Sequence, residues 1–187
     1  MRRTALIVLL AGALAGAAAA SPFPGTRTAK DRASWRAILH WPASCERDWQ
    51  SGHPPTSGVQ TWRLTSRTGL VSVTCILGAY QGTQRVWIVD VAKRPTPIVV
   101  HVYEDPGTGK PTPMRKQEIL GVLDFAPATG RMELFDKARG IGDCGIYSTF
   151  ALRGGRFVPV QTRAKTACDG KSGGGPTRWP KLPTLAP

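Results

Sequence analysis

Thr61-Trp62-Arg63-Leu64-Thr65 and Leu70-Val71-Ser72-Val73-Thr74-Cys75-Ile76-Leu77, joined by a Ser66-Arg67-Thr68-Gly69 turn, decide the fold class. Both runs are rich in β-branched and aromatic residues, which suit a pleated, half-buried surface. In the second run Val71, Val73 and Cys75 alternate with Ser72 and Thr74. A period of two places the first set on one face, so the pair reads as a hairpin with one face against a core. The same signal recurs at Arg85–Val91, Ile98–Tyr103, Ile119–Phe125, Arg131–Phe135, Ile146–Leu152 and Phe157–Arg163. Turn residues separate these runs, as in Pro127-Ala128-Thr129-Gly130 and Arg153-Gly154-Gly155-Arg156, and Asp105–Pro113 is a long turn-rich loop. About eight short antiparallel strands follow, arranged as a sandwich, barrel or meander, in a mainly β protein.

Helices are expected only upstream, within Ala33–Ser51. Ser34 is placed to cap a turn carrying Trp35, Ile38 and Leu39. After Pro42, Ser44 is placed to cap Cys45–Gln50, with Glu46 in the first turn. Earlier still, Arg2-Arg3 opens a stretch built on Leu6-Ile7-Val8-Leu9-Leu10 and closes on Ala18-Ala19-Ala20. That three-part pattern is an export signal cleaved near Ala20. Its apolar part falls short of the ~20 residues that a membrane span needs. The expected organisation is a signal peptide at 1–20, a flexible leader at 21–33, one folded domain at 34–182 and a loose tail at 183–187. The product is expected to be periplasmic or secreted, monomeric and without a transmembrane span.

The chain has 187 residues, with 25 Lys+Arg against 12 Asp+Glu and a net charge of +13. Loss of Arg2 and Arg3 with the signal leaves +11. With 41% hydrophobic residues the chain is too apolar to be disordered, and four cysteines are too few for a disulfide knot. Asparagine is absent, which removes every N-glycosylation acceptor.

Cys45, Cys75, Cys144 and Cys168 all follow the signal, and an even count in an oxidising compartment favours two disulfides. Three pairings are open. Cys144 and Cys168 bracket the hairpin centred on Gly154-Gly155, which sets Cys144 opposite about residue 165, so this pairing is favoured. Cys45–Cys75 then follows by elimination and staples the helical segment to the first hairpin.

Signals for chemistry are weak. Gly142-Asp143-Cys144-Gly145 invites a cysteine-nucleophile reading, but the last histidine is His101 and no base follows Cys144. Gly107-Thr108-Gly109-Lys110 has the wrong spacing for a phosphate loop, and Pro111 stands where Ser or Thr belongs. His40, His53 and His101 lack metal-ligand spacing. No catalytic residue, metal site or cofactor is therefore assigned. Paired carboxylates depend on the fold rather than on spacing, and they keep a hydrolase of cell-wall or surface polymer as the alternative. The six tryptophans read first as core. From Ala151 to Pro187 there are seven Lys/Arg and one acid, Asp169. Arg153, Arg156, Arg163 and Lys165 are the candidate binding surface there, for an envelope protein or an anionic surface polymer. No nucleic-acid motif occurs, so specific nucleic-acid binding is not expected.

Cys75-Ile76-Leu77-Gly78-Ala79-Tyr80-Gln81-Gly82, Phe125 with Thr129-Gly130, and Arg139-Gly140-Ile141-Gly142-Asp143-Cys144-Gly145 occur in that order. Gly155-Arg156-Phe157, Cys168-Asp169-Gly170 and Trp179-Pro180 follow, and Trp41-Pro42 with Cys45 precedes them. Together they resemble the exported bacterial proteins of domain-of-unknown-function family 1176. The resemblance covers roughly Trp41 to Pro180. It implies export, a mostly β domain and recurring cysteines, and it carries no activity, substrate or catalytic residue. The chain is shorter than many members and is expected to lack a second domain. The reading is an exported, non-enzymatic binding or envelope-associated module. An inhibitor of cationic lysozyme-type hydrolases is disfavoured, because a protein at +11 would be repelled by such a partner.

Overall fold

The computed structural model describes residues 31–52, 54, 56–171 and 174–186. The export signal, nearly all of the leader and His53 lie outside the described residues. Two helices, α1 (Arg32–Leu39) and α2 (Ala43–Ser51), precede ten strands. These are β1 (Val59–Arg63), β2 (Thr68–Leu77), β3 (Gly82–Asp90), β4 (Thr96–Pro97), β5 (Val100–Glu104), β6 (Thr112–Lys116), β7 (Glu118–Ala126), β8 (Arg131–Lys137), β9 (Gly145–Arg153) and β10 (Arg156–Lys165). The fold is a mainly antiparallel β sheet, as the alternation predicts. Its main sheet runs β1-β2-β3-β7-β8-β9-β10 with β4 beside β3, while β5 and β6 pair separately. Sequential neighbours pair throughout, apart from the β4–β6 excursion, which makes this a meander.

The excursion closes the core. Ile98, Val100 and Val102 meet the inner face of the sheet at Leu70, Val86, Ile119, Leu123, Phe125, Met132, Leu134, Phe150 and Phe157. The opposite face of β1–β3 is covered by the helices. Trp35, Leu39, Trp41 and Cys45 pack there on Val59, Val71, Val73, Cys75, Trp87 and Val89. Strand β2 is thus buried on both faces, not on one as its alternation predicts. Ser72 is tolerated on the second face because its hydroxyl donates to Gln84 Oε1 at 3.0 Å.

The caps differ from expectation. Asp31, not Ser34, caps α1, and its carboxylate accepts from the Ser34 N–H at 3.0 Å. Pro42 occupies the cap position of α2, leaving Ser44 inside the first turn without a capping role. Strand β6 lies partly in the expected loop. Its residues are mostly exposed and include Pro113, so no burial period marks it.

The chain's end is docked. Ala164 N–H donates to Pro180 O at 3.0 Å and Leu182 N–H to Thr162 O at 2.9 Å, which closes the open edge of β10. Tyr103 Oη donates to Pro183 O, His101 Nδ1 contacts Ala186 O at 2.9 Å, and Leu182 and Leu185 pack on Tyr103, Ile146 and Ala164. The segment expected as a loose tail from 183 is held to the body as far as Ala186. No helix among the described residues is long and apolar enough to cross a membrane.

Candidate binding face

The two densest sequence blocks, Cys75–Gly82 and Arg139–Gly145, meet at one end of the sheet. Gln81 does the joining. Its side-chain amide donates to Asp136 Oδ1 at 2.9 Å and Lys137 O at 3.1 Å, and its Oε1 accepts from Lys137 N–H at 2.7 Å. The amide thereby substitutes for a backbone partner of β8. Tyr80 lies against Gly140, and its hydroxyl reaches Ala138 O at 3.4 Å.

The second block is a braced loop. Arg139 grips Asp143 with two bonds, Nε to Oδ1 at 2.8 Å and Nη2 to Oδ2 at 2.6 Å, and Gly170 N–H adds a third at 2.7 Å. Asp143 is buried yet satisfied. The Arg139 fork, with the Gly170 amide, holds its carboxyl well below the usual carboxylate range, against the effect of burial. Beside it Cys144 is bonded to Cys168, and Cys45 is bonded to Cys75. This is the pairing favoured from the hairpin. Two disulfides point to an oxidising, extracytoplasmic setting.

The remaining predicted residues do not share one patch. Arg153 and Arg156 face each other across the exposed β9–β10 turn. Arg163 and Lys165 lie at the other end of β10, about 23 Å away for seven residues of strand. Both are engaged: Arg163 donates to Gln161 Oε1 and Trp179 O, and Lys165 to Asp169 Oδ1 and Lys171 O. The tryptophans belong to the core. Trp35, Trp41, Trp49, Trp87 and Trp179 are buried, and half-buried Trp62 packs edge-on to Phe125 at 5.7 Å. Trp41 and Trp49 also sandwich the Arg32 guanidinium at 5.0 and 4.6 Å.

Asp136 and Glu104 line one small cavity of about 10 Å³ with Tyr103 and Ser148. Burial pushes the Asp136 carboxyl up, against the hydrogen bond from Gln81, and the charges of Glu104 and Asp105 add to the rise. Glu104 is paired with Lys116 at 2.7 Å. The cavity has room for one water molecule and for no sugar ring. Among the described residues no group of three or more His, Cys, Asp or Glu is placed to hold a metal.

The sheet's outer face carries a feature that the sequence reading missed. On β7, Leu120 and Val122 alternate with buried Ile119, Gly121 and Leu123 and so point outward. Register places Ile76 opposite Thr83 and Thr83 opposite Leu120, and facing residues of adjacent strands share a face. Ile76, Leu120 and Val122 are 41–44% exposed. To one side, Leu77 touches Gly52 at the end of α2. To the other, Val122 pairs with Phe135, which Trp179 covers edge-on at 5.6 Å. A strip of bare apolar sheet therefore lies between two covered regions. One end is bounded by polar groups, where Glu118 accepts from Arg85 and Thr83.

The family described as "Protein of unknown function (DUF1176)" matches residues 12–185. The "Uncharacterized protein YpfG" of Escherichia coli (strain K12) is 29% identical over 124 residues, which are 66% of this chain and 34% of that protein. The chain thus spans about a third of that relative's length. No solved structure matches it. With nearly its whole length matched and both quoted blocks folded into one face, the chain belongs to the DUF1176 family.

Proposed function

We propose that the chain is a non-enzymatic binding module of the bacterial envelope. It is exported, with its signal cleaved near Ala20, and works as a periplasmic or secreted monomer. The apolar strip at Ile76, Leu120 and Val122 is the observation that carries this reading. A bare apolar patch on an otherwise covered sheet marks an interaction surface. The strip is the contact for an envelope protein. Arg153 and Arg156, at the exposed β9–β10 turn, are the surface for an anionic polymer. Affinity capture from an envelope extract tests the main contact. The chain from Ser21 is expected to retain a protein partner that Leu120→Asp/Val122→Asp loses by about tenfold or more. Equal capture by both chains, or no partner for either, refutes the reading.

The competing hydrolase draws on Asp136 and Glu104, which share a cavity with unlike environments. That cavity admits water and no polymer, so the binding reading is preferred.

A further inference from the structure

We infer that the loop tip at Ile141 is an insertion point for an anionic lipid bilayer. Ile141 is 72% exposed, the largest exposure of any large apolar side chain among the described residues. Transfer of such a side chain from water into an apolar medium is favourable. The tip is held rigidly. Gly142, at φ +67°, turns the chain back so that its N–H donates to Arg139 O at 3.0 Å. The Arg139–Asp143 fork, the Gly170 amide and the Cys144–Cys168 bond fix the base of the loop. Little ordering entropy remains to be lost on docking. Tyr80, half exposed against Gly140, adds an aromatic ring of the kind that sits at headgroup level.

Charge around the tip selects the occupant. The Lys137 side chain lies alongside Gly142, and Arg139 is in the loop itself. Lys165 and Lys171 approach through the Gly170 segment that docks on Asp143. Against these four cations stand Asp143, buried in its fork, and Asp169, paired with Lys165. The collar is net positive, as is the whole chain at +13. A cationic collar draws the tip to an anionic surface, and an apolar tip then needs a hydrocarbon layer to enter. A soluble anionic polymer offers the charge without that layer, so a bilayer satisfies both features.

This inference rests on the reading of the chain as an envelope protein, but it uses a different surface from the strip. The test is cosedimentation of the chain from Ser21 with two kinds of vesicle, phosphatidylglycerol mixed with phosphatidylcholine and phosphatidylcholine alone. Binding is expected to the anionic vesicles and to weaken with added salt. Ile141→Asp is expected to lower partitioning about tenfold with an unchanged melting curve, because the side chain is exposed. Ile141→Leu is expected to keep it, and Lys171→Glu to weaken it. Leu120→Asp/Val122→Asp is expected to bind vesicles like the parent chain, so the two surfaces fail or succeed separately. No binding to anionic vesicles, or equal partitioning of Ile141→Asp and the parent chain, overturns the inference. The second outcome would mean that charge alone does the binding.

Discussion

Asp143 is the residue whose chemistry is most confined. Its carboxylate has exchanged nearly all its water for the Arg139 guanidinium and the Gly170 amide. Its folded-state pKa is depressed, so the stabilisation is complete above the unfolded carboxylate value, near 4, and fades as the pH falls through the folded value. Asp143→Asn keeps the shape and removes the charge. It is expected to be less stable than the parent at neutral pH, with a gap that holds down to about pH 4 and narrows below it. Urea unfolding of both chains from neutral to strongly acidic pH checks this, and a gap independent of pH would show that the fork does not depend on ionisation. The ion pair was hidden in the sequence, where Arg139 and Asp143 looked only like a glycine-rich run beside a cysteine. A buried ion pair has no period. Helix capping was half legible for a related reason. Asp31 and Ser34 are both good cappers, and only the path of the entering chain chooses between them.

Element type was legible wherever a strand has two different faces. Most of strands β8 and β10 alternates buried residues with exposed or half-buried ones, and their reading from sequence needed nothing more. Strand β7 shows what the pattern leaves out. In Glu118-Ile119-Leu120-Gly121-Val122-Leu123 nearly every residue is apolar, so composition cannot tell inward Ile119 and Leu123 from outward Leu120 and Val122. The bare strip appears only when the register with β3 and β8 is known, because β2 and β7, far apart in sequence, build it across Thr83 of β3. Gly145, at the start of β9, is a sharper constraint. Its φ is +140°, and a Cβ there would lie 2.2 Å from Asp136 O. Gly145→Ala is expected to destabilise the protein by about 2–3 kcal/mol, from backbone strain and displacement of β8. Thermal unfolding measures this, and a loss below about 0.5 kcal/mol would show that β8 and β9 can separate freely at that end.

At the scale of the molecule, each disulfide ties an outlying segment to the sheet. Cys45–Cys75 closes a separation of 30 residues and Cys144–Cys168 one of 24. In the chain-entropy description each is worth ~3–4 kcal/mol, against a total stability of ~5–15 kcal/mol for an ordinary domain. Replacing either pair by alanine is expected to lower the urea midpoint by a large fraction, and replacing both to leave little folded protein at body temperature. If the double replacement shifts the midpoint by less than a tenth, the cores alone hold the fold. The pairing was legible because a hairpin lies between Cys144 and Cys168, whereas the docking of the C-terminal segment was not. Proline and glycine dominate that segment, and its contacts are main-chain carbonyls that any residue supplies. The same docking sets an order on how the protein is made. A chain emerging N-terminus first presents β10 as an unpaired edge until residues 180–182 have followed it. Until those residues are delivered the molecule is a template for joining its neighbours, so a chain stalled or clipped before them is an aggregation hazard in proportion to the time it waits.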